Sequence, residues 1–333
     1  MRNTAAGVSS GAGETVRLDY LDGWRGLAIA FVLCAHFLPA TKRFDSGRFG
    51  VDVFFVLSGL LMSNILFRRR VPLRTFYKRR ISRILPVFVL FVVVVFAANW
   101  FATGTFRTIE FVATLTFLRT YIPATPGIWA TRLPIPHLWS LNVEEHCYVF
   151  LGLVTLPRML RLREHLPLMA AGLLSCAIGI AYVEWPRFAP HSGLLGSEVA
   201  ASHLLFSAGY YLIRDKFSRV TRPWMPIVAF VASLLCHTTL LPWWTGILIS
   251  PILLAFSVNH LADTAPTVRR ALALAPLRQL GIWSFSIYIW QQPFYLFKRA
   301  LPPGAAFAGA LLTGAVSFQL FENPIRSWLN RNW

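Results

Sequence analysis

The sequence predicts an all-α fold, a polytopic bundle of about ten transmembrane helices with both termini in the cytoplasm. Three observations lead there: composition, the length of the apolar runs, and the placement of positive charge. Of 333 residues, 56% are hydrophobic and 14% charged. Soluble domains carry roughly 25% charged residues, so nearly half of the usual solvated surface is missing. The mean hydropathy of +0.55 agrees. Apolar runs of about 18–22 residues recur along the chain, enough to cross a hydrocarbon core about 30 Å thick. Residues 1–17 are expected to form a disordered lead without a cleaved signal peptide, and residues 18–333 a single membrane domain.

Taken in order, the runs place spans at 19–40, 49–67, 83–102, 138–157, 166–184, 197–213, 223–240, 243–261, 276–297 and 303–322. Segment 107–120 is apolar but too short to cross, and Arg107 and Arg119 flank it. It reads as a re-entrant or interfacial piece, because irregular backbone survives at membrane depth only where protein or water satisfies it. With the N-terminus inside, 22 of the 32 Lys and Arg residues fall on the cytoplasmic side and nine outside, with Arg25 within the first span. That is the positive-inside bias, and it predicts a multi-pass protein of the bacterial inner membrane.

The net charge of +18 would point to nucleic acid in a soluble protein. Here the basic residues lie in short loops beside apolar runs, where topology and anionic lipid account for them. Nucleic-acid binding is therefore not expected. Cys34, Cys147, Cys176 and Cys236 all fall in apolar segments and read as small buried hydrophobes. No fixed-period repeat, P-loop, GxSxG or GxGxxG occurs in a usable context.

A charge at the centre of a membrane helix costs roughly 2.5–3.5 kcal/mol on insertion scales, so a retained one is a functional candidate. Arg25 and His36 lie on the first span, Asp52 at the start of the second, and Glu144 and Glu145 on the fourth. With a rise of 1.5 Å per residue, Arg25 lies about 16 Å deeper than His36. The topology places His36, Asp52, Glu144 and Glu145 at similar depth near the outer face. A histidine beside a carboxylate is the arrangement of a general base, the acid fixing the tautomer and supporting the imidazolium. Each residue also has a plain structural reading: a packing histidine, an N-cap for the second helix at Asp52, interfacial glutamates, a snorkelling arginine. The shared depth favours a site.

A second cluster follows the second span: Arg68, Arg69, Arg70, Arg74, Lys78, Arg79, Arg80 and Arg83. A topogenic signal explains much of it. Arg80 and Arg83, at i and i+3, share a helix face, and paired guanidiniums match the oxygens of a phosphate-rich ligand. His137, His146, His203 and His237 show no common spacing with acidic partners, so no metal is expected.

At these residues the chain resembles the acyltransferase-3 family of membrane O-acyltransferases. The resemblance rests on LDGWRGLAIAFVLCAHF (21–37), FGVDVFFVLSGLLM (49–62), FYKRRISRILP (76–86), LWSLNVEEHCYVF (138–150), WSFSIYIWQQPF (283–294) and FENPIRSW (321–328). It implies transfer of an acyl group, commonly acetyl, from acyl-CoA to a hydroxyl of an extracytoplasmic glycan or lipid-linked saccharide. His36 carries over as the catalytic histidine, Arg25 as the arginine of the same signature, and Arg80 and Arg83 as the RxxR element on the CoA side. Glu144 and Glu145 carry over as the acidic element.

Two positions depart from the family pattern. Gln291 and Gln292 stand where many members have a histidine, so no role is assigned there, and His146 replaces a common glutamine. The chain is also expected to lack the appended extracytoplasmic hydrolase-like domain of some members. Asp52, Glu144 and Glu145 are three competing candidates for orienting His36, and a Tyr or Ser acyl-enzyme is a further mechanistic alternative. The rival reading is a transporter of a glycolipid or small solute that uses the buried ionisable groups as a proton relay. A non-catalytic scaffold is the third.

Overall fold

The computed structural model describes residues 18–38, 43–156, 163–302 and 304–333. The expected lead, residues 1–17, lies outside them. The described chain is helical, and its one extended pairing is an isolated bridge between Phe44 and Thr238.

Helix α1 (Asp19–Phe37) opens with Asp19 and Asp22, acids that complement the positive end of the helix dipole. Helix α2 (Ser46–Ser63) is capped by Asp45, whose carboxylate accepts from the Arg48 amide at 2.9 Å. Asp52 is therefore not the cap. It lies in the second turn, where its side chain is free to serve something else. A π turn, Asn64–Arg68, ends this segment.

Helix α3 (Leu73–Thr103) has 31 residues and begins ten positions before the expected span, absorbing much of the basic loop. Gly104 closes it in the left-handed conformation, φ +67°. Helix α4 (Thr108–Leu115) has eight residues, about 12 Å of rise, in keeping with a segment that does not cross. Both flanking arginines turn onto it: Arg119, fully buried, donates to Glu110 at 3.2 Å, and Arg107 lies 3.7 Å from the same carboxylate.

Helices α5 (Trp139–Val154) and α6 (His165–Glu184) follow. The next expected spans are broken. Residues 197–213 form α7 (Ser197–Ala200) and α8 (Ser202–Ile213). Residues 223–240 form the 12-residue α9 (Met225–Cys236). Residues 243–261 form α10 (Trp244–Leu248) and α11 (Ser250–Asn259), divided where Pro251 lacks an amide hydrogen and crowds the preceding turn. Helix α12 (Pro266–Leu272) precedes α13 (Ala275–Leu296). Helix α14 (Ala305–Ser317) passes through a π turn, Phe318–Glu322, into α15 (Asn323–Asn332).

Ten continuous spans were expected. Among the described residues, four continuous helical segments are long and apolar enough to cross: Ser46–Arg68, Leu73–Thr103, His165–Glu184 and Ala305–Asn332. The others are shorter, broken or richer in polar groups, a consequence of the side chains they carry inward.

Helix α1 lies between α2 and α13; α2 packs on α8 and α11; α14 backs α13; α6 and α11 flank α8. Glycine permits the closest approaches, as in other membrane bundles. A Cβ on Gly281 of α13 would lie 1.7 Å from the Asp22 carbonyl oxygen, and one on Gly59 of α2 would lie 2.2 Å from that of Leu204. Large apolar side chains such as Val93, Phe101, Leu173, Leu174, Val231 and Leu312 face outward, forming a surface suited to lipid rather than water.

Candidate active site

Apart from Glu145, the candidate site residues line two cavities. One is a small chamber of about 80 Å³ lined by Arg25, Arg80, Arg83, Ser58, Glu144 and Tyr288, among others. The other is a cleft of about 710 Å³ lined by His36, Asp52, Arg48, His137, His203, His237, Gln292 and again Tyr288. Val51 and Tyr288 belong to both walls, so the two spaces adjoin.

In the chamber, α1 supplies Arg25 and α3 supplies Arg80 and Arg83, one helical turn apart. Arg25 is tied to Asp22 at 3.1 Å. Arg80 lies over the Tyr148 ring, 3.9 Å from its centroid, and 3.5 Å from Glu144. Glu144 also accepts from Ser58 at 2.5 Å and from the Tyr148 hydroxyl. Arg83 forms no ion pair within 4 Å among the described residues. Three guanidiniums thus line one space, with Asp22 paired to Arg25 and Glu144 to Arg80. Burying unlike charges this way holds only when hydrogen bonds meet them, and of the three arginines only Arg83 is left without such a pair among the described residues.

His36 sits near the end of α1. Its Nδ1 lies 2.5 Å from Gln291 Oε1 on α13, and its ring packs against Tyr295 at a centroid distance of 4.4 Å. With the Gln291 oxygen turned to the ring, Nδ1 is the donor of this pair and, in a neutral imidazole, Nε2 holds the lone pair. Lys298 donates to the His36 carbonyl at 2.5 Å, fixing the helix end.

The expected meeting of His36 with an acid does not occur. Asp52 shares the cleft but is engaged by Arg48 Nε at 3.2 Å, His237 Nε2 at 3.1 Å and His203 Nδ1 at 3.4 Å. Glu144 belongs to the arginine chamber. Glu145 lines neither cavity, and its buried Oε1 has no hydrogen-bond partner among the described residues. Consecutive helical residues point about 100° apart, and here that phase turns Glu144 toward the arginine chamber while Glu145 lines neither space.

Four residues passed over in the sequence thus enter the site. Gln291 and Gln292 are buried polar side chains inside an apolar run, a signal as legible as a histidine had amides been weighed with charges. His203 and His237 arrive from α8 and the end of α9. No spacing links them, so the sequence carried no sign of their meeting. His237 is delivered by backbone pairing of two loops: the Asp45 amide donates to its carbonyl at 3.1 Å, and the Thr239 amide to that of Arg43 at 2.9 Å. Tyr288 is fixed by donating to the His137 carbonyl at 2.7 Å, with the Ser140 hydroxyl at 2.6 Å.

A helical membrane domain that joins an arginine-lined chamber to a histidine-bearing cleft fits the class of membrane acyltransferases. The acyltransferase-3 family profile, described as an acyltransferase domain, matches residues 18–320. The chain belongs to that family. It is similar to the peptidoglycan O-acetyltransferase OatA of Listeria monocytogenes, at 26% identity over 92% of this chain and 55% of the relative. It is also similar to a Staphylococcus aureus (strain COL) protein named as a candidate O-acetyltransferase, at 23% over 92% and 57%. A candidate membrane-bound transacylase, BcsY of Komagataeibacter xylinus, is 27% identical over 93% of this chain and 83% of the relative. The chain thus spans somewhat over half the length of the first two. No solved structure is significantly similar to it. Membership of an acyltransferase family favours transfer over the transport reading.

Proposed function

We propose that the chain moves an acyl group, acetyl in the first instance, from acyl-CoA to a hydroxyl of a glycan or lipid-linked saccharide, with His36 as general base. The observation that carries this reading is the adjoining of the two cavities at Val51 and Tyr288. The arginine chamber would take the donor from the cytoplasmic side, its guanidiniums meeting phosphate oxygens in pairs. The cleft would receive the acceptor from outside, in the orientation that the positive-inside bias supports. The name of the Listeria relative makes a cell-wall glycan the first acceptor class to try.

In this reading His36 Nε2 takes the proton from the acceptor hydroxyl while that oxygen attacks the thioester carbonyl. The C–S bond then breaks, and the thiolate leaves inward and takes up the proton. Gln291 holds the tautomer, a task that a carboxylate performs in the usual dyad. Arg80, steadied by Glu144, and Arg83 with Arg25 hold the donor. Asp52 and Glu145 have no step in this scheme.

The test is transfer from radiolabelled acetyl-CoA by the protein in native membranes. A positioned base contributes about 10²–10⁴-fold, so His36→Ala is expected to lose at least 100-fold while inserting normally. Near-normal turnover by a correctly inserted His36→Ala variant would overturn the mechanism.

A further inference from the structure

The cluster around Asp52 is too specific for its charges alone. Three ligand-type atoms, one from each of Asp52, His203 and His237, all lie within 4.8 Å of one another. Their side chains are 1%, 2% and 6% exposed. We propose that these three residues form a binding site for a divalent transition metal, zinc in the first place, with an open coordination position facing the cleft that His36 also lines.

The case begins with tautomers. His237 Nδ1 lies 3.0 Å from the Ser233 carbonyl oxygen, which only accepts, so Nδ1 carries the hydrogen. Neutral His237 then points the lone pair of Nε2 at Asp52 Oδ2, 3.1 Å away. Two acceptors then face each other, a contact that either a proton or a metal cation between them would satisfy. A histidine whose far nitrogen is held by a backbone carbonyl is the usual outer support of a metal-bound imidazole. His203 is held similarly, though by a hydroxyl that can donate or accept. Its Nε2 is engaged by Ser250 Oγ at 3.0 Å, while Nδ1 faces Asp52 Oδ1 at 3.4 Å. Neither His203 Nδ1 nor Asp52 Oδ1 makes a hydrogen bond among the described residues.

The distances fit as well. Ligands about 2.0–2.1 Å from a tetrahedral zinc stand about 3.3 Å apart. Each histidine lies near that distance from one Asp52 oxygen, His237 at 3.1 Å from Oδ2 and His203 at 3.4 Å from Oδ1. The three-atom set, within 4.8 Å, closes on a metal with a small inward shift. Two histidines and one carboxylate leave the fourth position open, as catalytic rather than structural zinc sites do. Neither imidazole serves well as a general base instead, since both nitrogens of each are turned toward Asp52 or a serine. The opposing feature is Arg48, whose Nε lies 3.2 Å from Asp52 Oδ2. Its side chain is 24% exposed and already reaches the Leu194 carbonyl and the Trp139 ring, so it has partners when a cation takes its place.

The experiment is a zinc titration of the full chain, purified in detergent and stripped with chelator, with the bound metal counted by mass spectrometry. A parallel cobalt titration reads the tetrahedral visible spectrum. One metal per chain is expected. Affinity should fall more than about 100-fold in His203→Ala, His237→Ala and Asp52→Asn, beyond the 10–100-fold that loss of an outer-shell partner produces. Arg48→Gln, which removes a competing charge, should bind more tightly, whereas a purely structural ion pair predicts no such gain. A folded wild-type protein that binds no more zinc than the His203→Ala/His237→Ala double variant overturns the proposal, and this holds even if single variants misfold. That failure would leave the acyl-transfer reading intact, since His36, Gln291 and the three arginines take no part in the titration.

Discussion

At the scale of single residues, His36 illustrates what a sequence shows and what it hides. An imidazole in an apolar helix stands out because its cost there demands a reason. Its partner does not: Gln291 lies 255 positions away and carries no charge. The acids at similar depth were better advertised, yet Asp52 and Glu144 are engaged elsewhere and Glu145 lines neither cavity. The Gln291 pairing makes a sharp prediction. Gln291→Leu frees Nδ1 and lets the ring adopt the other tautomer, so kcat should fall about 10–100-fold, a fraction of the whole contribution of a positioned base. KM for the acyl donor should stay unchanged because the arginine chamber is untouched. Single-turnover and steady-state rates on the purified variant check both. Equal losses in kcat and donor affinity would argue that Gln291 shapes the fold rather than the imidazole.

At the scale of elements, the α1–α13 pair is the ruler of the site. It carries Arg25, His36, Tyr288 and Gln291, so the sliding of one helix along the other misaligns both cavities together. The pair is set by glycine: the Gly281 backbone sits against that of Asp22 so closely that no Cβ fits. Gly281→Ala should therefore push the helices apart near the Arg25 end. A shift of 1 Å can cost about 100-fold in rate, so activity should fall by that order even where the protein remains folded by size exclusion in detergent. Unchanged activity would show that the pair is not what holds the two cavities in register. Helix existence was legible almost throughout, because apolar runs report it directly. Continuity was not. Pro251 divides one expected span, and the short α9 ends at Cys236 so that His237 can turn toward α2. Both breaks answer to tertiary partners that no local pattern encodes.

At the scale of the whole molecule, the arrangement is a pair of recesses back to back, one rich in guanidinium and one in imidazole, with Tyr288 on the boundary. The positive charges imply a topology in the sequence; in the structure Arg25, Arg80 and Arg83 line one recess and His36 the other. That His36 and Asp52 would share a cleft without touching was not readable beforehand. The boundary also has an electrical consequence. If the recesses open to opposite faces as proposed, the protein thins the insulation of its membrane, and ionisable groups strung between the faces offer protons a ladder. On that reading the Tyr288 hydroxyl, which donates to the His137 carbonyl and pairs with the Ser140 hydroxyl, would stand as the stopper between the two sides. Vesicles carrying Tyr288→Ala should dissipate an imposed pH difference several-fold faster than wild type, followed with an entrapped dye. Equal decay would place the seal elsewhere in the wall.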